Sequence, residues 1–193
     1  MNGDGLSSDG LWCSHTRLSK QTSVSRFLFR VEPARRFFKN EEIGGVRRDK
    51  ELSEKLRDAE EDENKYQEAL KQNIGTPIYY GQTFFLRHIY SGDYITLNST
   101  KLAKQVGSVR IGLAEASEYS SLKVVPSSRI KKVGDSVNYS DAVVIASAKE
   151  DHYFVHVAEY LNSHDRGLEI NASETRSEWK PKLYATDLAD TSL

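Results

Sequence analysis

His152 and His156 stand four residues apart, a spacing that would set both imidazoles on one face of a helix and seed a zinc site. The residues between them, Tyr153, Phe154 and Val155, instead read as strand. Positions 152, 154 and 156 of a strand still share a face, but two imidazoles alone hydrogen-bond locally more readily than they hold a metal. Gly134-Asp135-Ser136 has the look of a hydrolase nucleophile, yet no glycine follows the serine and the tripeptide opens a strand, where a nucleophile elbow needs a strand-to-helix turn. No nucleophile, base and acid in a recognised order, no glycine-rich phosphate loop and no clustered metal ligands occur along the chain. The expectation is a protein that is not an enzyme and needs neither cofactor nor metal.

Binding chemistry has more to offer. Basic residues cluster at Arg35-Arg36 with Lys39, at Arg47-Arg48 with Lys50, and at Arg129 with Lys131-Lys132. An inositol phosphate requires several convergent Lys or Arg side chains in one concavity, because charge-assisted contacts supply both affinity and geometry. These clusters are local in sequence only, so solvated loops or protein contacts are the simpler reading, and inositol phosphate binding by this chain alone is not expected. Phe37 and Phe38 follow the first dibasic pair, and adjacent aromatics on a strand cannot both face one core. One of them is left for a partner, unless a helix or turn there caps the fold. Arg35, Arg36, Phe37, Phe38, Arg47 and Arg48 are therefore the candidate protein contacts.

The totals agree with a role that is not electrostatic in bulk. Among 193 residues, 27 Lys and Arg face 28 Asp and Glu, a formal charge of −1 with no long-range field to draw in nucleic acid or an anionic membrane. The single Cys13 excludes an internal disulfide and suits a reducing compartment. No run approaches the roughly 18 apolar residues of a membrane span, and Asp4 and Asp9 sit where a signal peptide would be basic and then apolar. A cytoplasmic location is expected, and the tripeptides at Asn98, Asn138 and Asn171 that match the glycosylation pattern are read as turn sequence.

The elements that must position these groups are mostly strands. Phe27-Leu28-Phe29-Arg30-Val31 is an aromatic and β-branched run stopped at Glu32-Pro33. Between 41 and 71 the composition turns to dense mixed charge, with Leu52, Leu56, Ala59, Tyr66, Ala69 and Leu70 at helical spacing and Gly75-Thr76-Pro77 as the stop. The stripe is thin, as befits a solvated helix lying on a β domain. After Pro77 short β runs recur every 8 to 12 residues or so, at 79–90, 94–97, 108–113, 122–125, 135–139, 143–147, 153–158, 168–170 and 179–184, a rhythm that predicts a closed barrel or sandwich. Gly81-Gln82-Thr83-Phe84 and Gly134-Asp135-Ser136-Val137 open similar segments about 50 residues apart.

The stretch 80–97 ties these features together. Gly81 opens it, Phe84, Leu86 and His88 alternate inward along an apolar strand, Ser91-Gly92-Asp93 makes the turn, and Tyr94 folds back as a core aromatic. Gly81, His88, Gly92 and Tyr94 are the structural residues of a hairpin that resembles those of MIR-type domains. Gly5-Leu6-Ser7 and Gly10-Leu11, then Phe27 through Pro33, then Gly134-Asp135-Ser136-Val137 with Ala142-Val143-Val144-Ile145, and finally His156-Val157-Ala158 before Trp179, follow in the order of the N-terminal domain of inositol trisphosphate and ryanodine receptors, which this chain resembles over roughly 3–184.

The resemblance implies a mostly β, β-trefoil barrel spanning 1–186, with a charged helical insertion at 41–74 between the first and second lobes and a flexible tail at 187–193. It also implies that the family's first strand lies before Met1, which would leave an unpaired seam beside the hairpin at Gly5. In function it implies a regulatory module that docks on neighbouring domains or subunits of a calcium-release channel, on the cytosolic face of an internal membrane. The rival expectation is a stand-alone adaptor in a cytoplasmic or cytoskeletal assembly, ciliary axonemes included, completed by a partner's strand. A luminal MIR domain linked to protein mannosylation fits 80–97 but has no signal peptide to go with it.

Overall fold

A computed structural model describes residues 6–7, 10–14, 28–34, 48–72, 75–161 and 167–181. Ten strands and one helix run along them: β1 (Leu6–Ser7), β2 (Gly10–Ser14), β3 (Phe29–Pro33), α1 (Arg48–Gln72), β4 (Thr83–His88), β5 (Tyr94–Leu102), β6 (Val109–Ala114), β7 (Leu122–Pro126), β8 (Val143–Ser147), β9 (Phe154–Leu161) and β10 (Gly167–Ser173). Seven of the strands close into an antiparallel barrel in the order β10, β6, β5, β4, β7, β8, β9 and back to β10. Closure pairs every ring strand on both sides and removes the edges an open sheet would expose. The ring closes among β9, β10 and β6, so the seam expected beside the first hairpin does not interrupt it. β1 and β2 extend outward from β10, and β3 lies against β4.

Period-two alternation builds the core. Ile95 and Leu97 of β5, Val109 and Ile111 of β6, and Leu122 and Val124 of β7 are buried together with Tyr80, Phe84, Val143 and Val155. Each alternate residue points inward because successive Cβ atoms leave opposite faces of a strand. The run at 135–139 departs from its expected strand. Gly134 adopts a positive φ of 94°, Asp135 and Asp141 accept backbone N–H groups of Lys132 and Asn138, and only Ser136 bridges to Tyr79. Aspartate side chains have offered the backbone a turn in place of a ladder.

β3 ends one residue later than its proline suggests. Leu28 accepts from the N–H of Ile89, and the antiparallel register continues through Glu32 opposite Phe85 to Pro33 opposite Phe84. Hydrogen-bonded pairs therefore fall at 28, 30 and 32, and the ring nitrogen of Pro33 faces away from β4, where no donor is required. Among its described side chains, 57, 58 and 60–72, α1 is mostly exposed, and it is braced by Lys65 with Glu61 and Asp62 and by Gln67 with Glu63. Such pairs contribute a few tenths of a kcal/mol each, roughly, so the helix needs a tertiary anchor. Tyr66 is buried and Ala69 and Leu70 half-buried, and the strand beneath is β3.

Candidate functional site

The anchor of α1 is a carboxylate. Arg30 and Glu32 project to the same side of the β3–β4 pair as their partners Arg87 and Phe85, away from the inward row of Phe84, Leu86 and His88. There Glu32 is 2 % exposed, and its Oε2 accepts hydrogen bonds from the hydroxyls of Tyr66 and Tyr94, each at 3.0 Å. Its Oε1 lies 3.7 Å from Arg87 and 4.0 Å from Arg30. Burial, followed by the neighbouring Glu32 charge, pushes the Tyr66 phenol well above its ordinary range, and burial with the hydrogen bond to Glu32 raises Tyr94 as well. Phe85 closes the cluster beneath, edge-on to Tyr94 at 5.6 Å. A buried carboxylate is tolerated only with such partners, because losing water without replacement costs several kcal/mol, roughly. Helix, edge strand and barrel thus meet at one side chain.

The turn joining β4 to β5 is fastened by its own residues. Gly92 adopts φ 81°, its N–H donates to the His88 carbonyl, and Arg87 Nε donates to the Gly92 carbonyl at 3.0 Å. The backbone N–H of Ser91 donates to His88 Nδ1 at 3.3 Å, and the Ser91 hydroxyl lies 3.0 Å from the same nitrogen. His88 is buried against Phe29, ring centroids 5.2 Å apart. Tyr94 follows the turn as expected, but its ring packs outward against Phe85 and Glu32, not in the barrel core, because it pairs with outward-facing Arg87.

The β7–β8 connection, 127–142, carries three exposed apolar groups beside a hydrogen-bonded frame. Tyr80 donates its N–H to the Asp135 carbonyl, Gly134 donates to the Tyr80 carbonyl, and Val137 donates to the Ile78 carbonyl. Asp141 Oδ2 accepts from Asn138 N–H at 2.9 Å, Tyr80 OH at 3.2 Å and Lys131 Nζ at 3.2 Å. The Asn138 N–H, then Lys131 and the Tyr80 hydroxyl, hold the Asp141 carboxyl below its usual range, and burial raises the Tyr80 phenol. From this frame Ile130 projects 86 % exposed, Val133 75 % and Tyr139 65 %. Val133 also lies over Gly81, where an added Cβ would meet its Cγ1 at 2.6 Å. The two glycines that open the related segments are therefore neighbours in space.

Of the expected contact residues, Arg35, Arg36, Phe37, Phe38 and Arg47 lie outside the described residues, and Arg48 is the first residue of α1. The third basic cluster is the one that borders an apolar surface: Arg129 and Lys132 are exposed around Ile130 and Val133. His152 sits in the turn before β9, its ring tilted against that of Tyr153, whereas His156 is buried in β9 with Nδ1 2.8 Å from Ser177 Oγ. Asn171 is fully buried and donates to Gln105 and Glu169, so its glycosylation tripeptide is closed to modification in this fold. Among the described residues no group of three or more His, Cys, Asp or Glu side chains could hold a metal, and no helix is long and apolar enough to cross a membrane. Sequence reasoning missed Glu32, which carries no motif; the one signal was a charged residue in phase with the outward face of a strand.

This combination of a closed β barrel, a charged helix clamped outside it and a frame-held apolar loop coincides with a profile described as "Inositol 1,4,5-trisphosphate/ryanodine receptor", which matches residues 5–188. The domain it describes is associated with channels and is not a known catalytic one. The match spans nearly the whole chain, β1 to beyond β10, and the chain belongs to the inositol 1,4,5-trisphosphate/ryanodine receptor family.

Proposed function

We propose that this chain is a non-catalytic docking module that regulates by binding neighbouring domains or subunits, in the manner of the N-terminal domain of an intracellular calcium-release channel. The observation that carries the reading is the 127–142 loop: Ile130, Val133 and Tyr139 stay in water although hydrogen bonds from Tyr80, Asp135 and Asp141 fix the backbone beneath them. Preorganised exposed apolar side chains bordered by Arg129 and Lys132 lose little entropy on association and fit an apolar protein surface with an acidic rim. A β-trefoil arrangement over 1–186, with its insertion at 41–74 and tail at 187–193, and a position on the cytosolic face of an internal membrane belong to this reading. The related segments beginning at Gly81 and Gly134 support the lobed arrangement.

One observation favours the rival adaptor reading. Among the described residues β3 pairs with β4 alone, and its register turns the N–H and C=O groups of Phe29 and Val31 toward the opposite edge, a template for a partner's strand. Affinity purification of the native full-length protein with mass spectrometry separates the two. Subunits or further domains of a membrane channel support channel docking, whereas tubulin-associated or axonemal partners without a channel overturn it in favour of the adaptor. Calorimetry with inositol trisphosphate tests the remaining alternative, and micromolar or tighter binding by this chain would contradict a purely protein-docking role.

A further inference from the structure

We propose that a bound water molecule bridges β6 and β10 at the join where Arg110 stands opposite Asn171. The join consists of that pair and of Val109 opposite Ala172. Val109 and Ala172 belong to the core, so Arg110 and Asn171, one step along each strand, lie on the outer face of the barrel wall. Asn171 is nevertheless fully buried, and Ser108, two residues before Arg110, is 1 % exposed.

Among the described residues, four buried side-chain polar atoms meet no hydrogen-bonding group of the protein, and three of them are here: Asn171 Oδ1, Arg110 Nε and Ser108 Oγ. Orphaned buried groups are rare in folded proteins, so three at one join point to a shared partner. Glu169 fixes the orientation of the amide. Its two oxygens accept the backbone N–H groups of Lys104 at 2.9 Å and Gln105 at 3.1 Å, so Asn171 presents its nitrogen to it, Nδ2 donating to Glu169 Oε2 and to Gln105 Oε1, each at 3.3 Å. That leaves Asn171 Oδ1 turned away from Glu169. Ser108 donates its N–H to the Gln105 carbonyl and accepts from the Ala103 N–H, which engages its backbone in the loop but not its hydroxyl.

The three atoms differ in kind. Nε–H only donates, Oδ1 only accepts, and the hydroxyl does either. Donor and acceptor stand opposite in register without bonding, and a polar pair held beyond roughly 3.5 Å is commonly bridged by water. One water accepts from Arg110 Nε–H and donates to Asn171 Oδ1 and Ser108 Oγ, and buried waters make about three such bonds. An anion would suit Nε–H and the hydroxyl but be repelled by Oδ1, whereas a cation would suit the oxygens but be repelled by the guanidinium. A small neutral molecule that both donates and accepts satisfies all three. Such a bridge ties the 103–108 loop and Glu169 to the join, and it stands independently of the docking role.

The test pairs a crystal structure of the full chain, at a resolution that shows ordered water, with oxygen-17 magnetic relaxation dispersion, which counts long-lived internal waters in solution. Expected are one density peak within hydrogen-bonding reach of Asn171 Oδ1 and Arg110 Nε, and one long-lived water fewer in Arg110→Met than in wild type. Arg110 is half-buried, so its stem can be replaced without opening the core. Arg110→Lys keeps the charge but not the Nε donor; it should lose the same water, and it serves where Arg110→Met melts early. A direct bond from Arg110 Nε to Asn171 Oδ1, a peak that bromide replaces in soaked crystals, or an equal count of long-lived waters in wild type and both variants would each overturn the proposal.

Discussion

Replacing Glu32 should free α1 from the barrel. In Glu32→Ala two phenols that now donate to a carboxylate, Tyr66 and Tyr94, lose their acceptor, and Arg87 loses a neighbouring charge 3.7 Å away. A hydrogen bond to a charged group contributes about 1.5–3 kcal/mol, whereas relief of the carboxylate's own desolvation returns part of the sum. The net loss is placed at about 3 kcal/mol, and that of Tyr66→Phe at about 1.5 kcal/mol, because Tyr94 still partners the carboxylate. For a chain of this size these become falls of roughly 10 °C and 5 °C in melting temperature. Tyr66→Phe with Tyr94→Phe should cost more than the sum of the single changes, since it strips both neutral donors from one buried charge. Urea unfolding followed by circular dichroism gives the free energies, and hydrogen exchange of the α1 amides reports whether the helix loosens first. If Glu32→Ala costs under about 1 kcal/mol, or if α1 protection is unchanged, the carboxylate is not the anchor.

Further outcomes follow from the same geometry. Gly81→Ala places a Cβ 2.6 Å from Val133 Cγ1 at φ 87°, and should destabilise by about 2–3 kcal/mol, with Val133→Ala restoring only the steric part in thermal melts. Ile111→Ala removes a fully buried side chain from the middle of the core and should cost about 4 kcal/mol by chemical denaturation with an unchanged slope. The phenols of Tyr66 and Tyr94 are raised in the folded state, so their contribution is complete below the ordinary tyrosine value of 10.0 and is lost as pH rises above it. Stability measured from neutral pH to beyond 10 should therefore fall, and Tyr66→Phe should flatten that fall.

Most strands were legible as short runs rich in β-branched residues between turn residues: 122–125 alternates buried and half-buried along β7, whereas 143–147, nearly all buried, reads as the continuous apolar run that became β8. The charged helix was equally plain from its composition. Side-chain capture of backbone groups was not: Asp135 and Asp141 turned an apparent strand into a hydrogen-bonded loop, and neither aspartate differs in sequence from an ordinary strand-end residue. Glu32 was illegible for a different reason. Alternation places it opposite Val31, but its partners Tyr66 and Tyr94 are 34 and 62 residues away, and only the folded chain brings them together. The apolar tip at 127–142 was hidden because loop residues such as Ile130 and Val133 obey no periodicity that says whether they fold inward.

The docking role itself is tested most directly by a photo-crosslinking amino acid placed at position 130 of the native full-length protein, with position 119, in the short 3-10 turn before β7, as control. The docking account predicts crosslinks from position 130 to one defined surface of a neighbouring domain or subunit, few from position 119, and loss of the former on Val133→Ser. Equal labelling at both positions, or only self-peptides from the same loop, would contradict it.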